Sequence, residues 1–88
     1  MPGQDLVEEG LADLRAGGRT AAALLVATAR MRLAATGVDV PDAGVQRPGH
    51  ALYELLASED PATAHGRYNA LIRRLVSYLR AAEHATAR

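Results

Sequence analysis

Tyr68-Asn69-Ala70-Leu71-Ile72-Arg73-Arg74-Leu75-Val76-Ser77-Tyr78-Leu79-Arg80-Ala81-Ala82 decides the fold class. Tyr68, Ile72, Leu75, Leu79 and Ala82 recur at alternating steps of four and three, which places them on one side of an α-helix. A half-buried strand would alternate at every second residue, and this segment does not. Leu71, Val76 and Tyr78 widen the apolar stripe, while Arg73, Ser77, Arg80 and His84 fall opposite it. The helix is expected over 61–85, with Asp60 as N-cap and Pro61 in its first turn. Gly66 is a weak point near its start.

Working towards the N-terminus, a short helix is expected over 49–58, with Leu52, Leu55 and Leu56 as its inner face. The connection to the last helix is so short that the two must be neighbours. Residues 37–49 hold three glycines and two prolines, a composition that rules out regular structure for most of this connection between two helix pairs. A helix over 21–36 has Thr20 as N-cap and Gly37 just past its end. Leu24, Leu25, Val26, Ala27, Met31 and Leu33 make it apolar nearly all round, as in the central member of a bundle. The first helix is expected over 6–16, with Asp5 and Glu8 as a capping box and Val7, Leu11 and Leu14 as one face. Gly10 lies inside it, where a glycine weakens a helix by about 1 kcal/mol relative to alanine. The expected fold is all-α: a compact four-helix bundle of two helical hairpins in one domain of 88 residues.

Composition agrees. Ala and Leu, both strong helix formers, supply most of the apolar content, and the only aromatic residues are Tyr53, Tyr68 and Tyr78. There is no cysteine, which excludes disulfides and thiolate metal sites. All ten basic residues are arginine, the imprint of a GC-rich, bacterial-type coding sequence rather than of selection for anion recognition. The formal net charge is zero, which argues against a general nucleic-acid or membrane coat. Met1 to Asp5 carries no signal-peptide pattern, and the longest near-apolar run, 21–29, is too short to span a bilayer. A cytoplasmic location away from membranes is expected.

The charges alternate by segment. The first and third helices are acidic; the second is basic, as is the fourth, counting Arg88. Neighbouring helices should therefore attract, each exposed pair contributing about 0–1 kcal/mol. His50 and Glu54, four apart on one helix face, form the one pair with metal-ligand spacing. His65 and His84 are the further histidines, but neither stands in a recognisable ligand pair, so no metal and no cofactor is expected. Arg67, Arg73, Arg74 and Arg80 make a candidate anion or nucleic-acid patch on the last helix. No nucleophile with a placed base is visible, so no catalytic residue is assigned and an enzyme is not expected.

The reading that remains is a non-enzymatic interaction module, either homo-oligomeric or a regulatory protein that binds another protein. Two short helices look insufficient to cover the long apolar stripe, which favours an isologous dimer through Tyr68, Ile72, Leu75, Tyr78 and Leu79. Nucleic-acid binding through the arginine face is the alternative.

Overall fold

The computed structural model describes residues 1–86; Arg88, counted above in the charge of the last helix, lies outside them. Five helices follow one another: α1 (Gln4–Arg15), α2 (Ala21–Thr28), α3 (Arg30–Ala35), α4 (Pro48–Glu59) and α5 (Ala64–Thr86). Helix covers 71 % of the structure and no strand occurs among the described residues, so the chain is all-α. The expected four helices become five because the second is interrupted at Ala29. There the Thr28 hydroxyl donates to the Leu25 carbonyl at 2.5 Å, and the Ala29 amide donates to Val26 three residues back. A side chain that competes for a backbone carbonyl bends a helix, and periodicity does not reveal it.

The helix ends follow the local chemistry of their residues. α1 and α3 close with the same motif: Gly18 and Gly17 donate to Asp13 and Leu14, and Val38 and Gly37 donate to Leu33 and Ala34. Gly17 and Gly37 hold φ of 80° and 90°, a conformation that side-chain-bearing residues avoid. Thr20 caps α2 by accepting from the Ala23 amide at 3.2 Å, and its hydroxyl donates to Asp13 at 2.6 Å, tying the end of α1 to the start of α2.

Two expected helix starts are displaced. Asp5 is not the N-cap of α1; the helix begins at Gln4, two residues before the expected start, behind Gly3 at φ 74°, with no side-chain cap. Asp5 sits in the first turn instead, where a carboxylate suits the positive helix end. α5 begins at Ala64 rather than Pro61, because the Asp60 carboxylate accepts from the Ala62 amide and turns 61–63 into a separate elbow.

Buried residues from every helix, with Val40 from the connection, join one core. α2 is its centre: Ala22, Ala23, Leu24, Leu25 and Val26 are all buried, enclosed by α1, α4 and α5. The connection contributes too. Arg30 Nε donates to the Val40 carbonyl at 3.0 Å, and the Val40 side chain is buried while Val38 and Val45 pack at its edge. One chain thus encloses α2, whereas Met31 of α3, expected in the same apolar helix, is exposed. Among the described residues, no helix is long and apolar enough to cross a membrane.

Candidate docking groove

The α5 stripe faces inward. Leu75 and Leu79 are 3 % and 1 % exposed, so two of the five expected interface residues belong to the chain's own core. Ile72 is half-buried against that core. Tyr68 meets Tyr53 edge-on at 5.6 Å between ring centroids. Tyr78 packs beside Gly3, where the first turn of the chain crosses α5. The surplus apolar surface inferred from the sequence is largely consumed inside the fold, leaving Met1, Met31 and Tyr53 as scattered exposed apolar side chains.

Ion pairs converge on α5. Arg67 reaches Glu59 of α4 at 3.0 Å, and Arg74 reaches Asp5 of α1 at 3.4 Å. These two pairs follow the expected attraction between acidic and basic helices. The third joins two basic elements through a lone acid: Arg32 Nε and Nη2 of α3 donate to the two carboxylate oxygens of Glu83 at 3.0 and 2.8 Å. These hydrogen bonds favour the charged form and hold the Glu83 carboxyl below its usual range.

The four arginines of the candidate patch do not form one surface. Adjacent helix positions lie about 100° apart, so Arg67 and Arg74 share one row and Arg73 and Arg80 another. The first row stands beside carboxylates; the second, with Ser77 and His84, faces solvent with no ion pair among the described residues. His50 pairs with Glu54, and no group of three potential metal ligands occurs among the described residues.

The Arg67 and Arg74 row instead lines a groove of about 430 Å³ between α1, the start of α2 and α5. Its floor is apolar, with Leu6 and Ala22 buried and Ala21 and Leu71 half-buried, and the exposed Ala70 lies at its edge. Glu9 and Asp13, one turn apart on α1, form an acidic wall, and Arg67 and Arg74, two turns apart on α5, form a basic one. Local sequence explains the shape. Val7, Leu11 and Leu14 bury one face of α1, and Gly10 lets that helix approach α2 more closely than any side chain would allow. At the other end Gly3 lies against the Arg74 carbonyl and Tyr78, so α1 meets α5 near its N-terminus. Further along, the groove lies between the two helices.

Sequence reading did not find Glu9, Asp13 or Leu71 as partners in one site. Periodicity assigns faces to single helices; it says nothing of the gap between two of them. The available signals were Gly10, a small residue beside an apolar face, and the opposite charge of the first and last helices. No protein-family model, curated protein or solved structure matches this chain.

Proposed function

We propose that the chain is a non-enzymatic interaction module that docks a polypeptide in the groove between α1 and α5. The observation that supports this reading is the pairing of walls: Glu9 and Asp13 face Arg67 and Arg74 across an apolar floor. A polypeptide offers both charges and apolar side chains together, and such a groove uses all three. A nucleic acid would meet the acidic wall with its phosphates, which disfavours the alternative reading at this site.

A photoreactive amino acid placed at Ala70, exposed at the groove, tests the reading in cells expressing the protein. Polypeptide adducts should form there, should disappear when Glu9→Arg is added, and should not form from Ser58, exposed on α4. Equal capture from both positions, capture insensitive to Glu9→Arg, or adducts with nucleic acid alone would overturn it.

A further inference from the structure

We infer that the polypeptide covering this groove is a second copy of the same chain, its two rims set against the opposite rims, related by a two-fold axis that runs parallel to the groove; the inference rests on the docking reading above. Two face-to-face arrangements are open to a two-fold pair. A half-turn about an axis across the groove sets α1 over α1 and α5 over α5, placing acid on acid and base on base. A half-turn about an axis along the groove sets α1 of each copy over α5 of the other. Glu9 and Asp13 then meet Arg67 and Arg74 twice, once on each side of the axis.

The charge distribution thus selects the second arrangement and makes the face complementary to itself. A net charge of zero adds no long-range repulsion between copies. The carboxylates already beside these arginines do not exhaust them. Asp5 contacts Arg74 through Nη2 alone and Glu59 contacts Arg67 through Nη1, and a guanidinium carries five donors. The walls are solvent-accessible, so salt should weaken the pairing.

Sedimentation equilibrium on the full chain tests this, with Glu9→Arg and Arg67→Glu as separate variants whose circular dichroism confirms that they remain folded. The wild type should show a monomer–dimer equilibrium that salt shifts towards monomer. Each variant places like charges across the axis and should weaken dimerisation about tenfold or more. An equimolar mixture of the two should restore it, because Arg at position 9 of one copy meets Glu at position 67 of the other while Glu9 still meets Arg67 on the second side. A wild type that stays monomeric at millimolar concentration, variants that dimerise like the wild type, or a mixture no tighter than its components would each overturn self-pairing. If the chain remains monomeric while the Ala70 probe still captures another protein in a Glu9-dependent way, self-pairing fails and the docking reading stands.

Discussion

Replacing Gly10 by alanine is expected to destabilise the fold by about 2–3 kcal/mol, although alanine is the better helix former by about 1 kcal/mol. A Cβ at this position would lie less than 3.0 Å from the Ala22 carbonyl oxygen and from Val26 Cγ2. The first is backbone, so relief requires α1 and α2 to move apart, and both helices bury their apolar faces in that contact. In a domain of this size such a loss lowers the melting temperature by about 10 °C or more. A thermal melt checks it. An unchanged or raised melting temperature would mean that the two helices do not approach as closely as described.

The second large effect is expected at Leu75. Its side chain is 3 % exposed in the contact of α5 with the rest of the core. Leu75→Asp removes that packing, a change in the range of about 2–5 kcal/mol, and adds a carboxylate whose burial costs several kcal/mol more. A chain of this length has a total stability of about 5–10 kcal/mol. The variant should therefore lose cooperative unfolding and most of its helical circular dichroism at neutral pH. A well-folded variant with a normal melt, altered only in its self-association, would return Leu75 to an interface between chains.

That contrast shows how far the sequence could be read. The steps from Tyr68 to Ala82 establish a long amphipathic helix and identify Leu75 and Leu79 as its most apolar line. They do not say what covers the line. Comparing helix lengths suggested that a second chain was needed, but α1 and α2 touch α5 beside α4, and Val40 from the irregular connection adds to the same core. Thr20 as a cap and Gly37 as a terminator were legible because each acts on backbone groups within a few residues. The break at Ala29 and the elbow after Asp60 were not, since Thr28 and Asp60 each choose between competing local hydrogen bonds.

The same distinction applies to the site. The solvent-facing row of Arg73 and Arg80 with Ser77 and His84 was legible from spacing, but the place of Arg67 and Arg74 beside α1 was not. Gly10 read as a helix weakness because its neighbour across the core is not written in its own helix. Glu9 and Asp13 read only as part of an acidic first helix, and their place across a groove from Arg67 and Arg74 follows from the packing of α1 beside α5.

The most direct measurement of the self-pairing claim is a set of amide correlation NMR spectra on the isolated chain, recorded from millimolar to micromolar concentration. Chemical-shift changes on dilution should concentrate on residues that line the groove, among them Leu6, Glu9, Asp13, Arg67, Leu71 and Arg74. Spectra independent of concentration, or changes centred on Arg73, Ser77 and Arg80 instead, would contradict it.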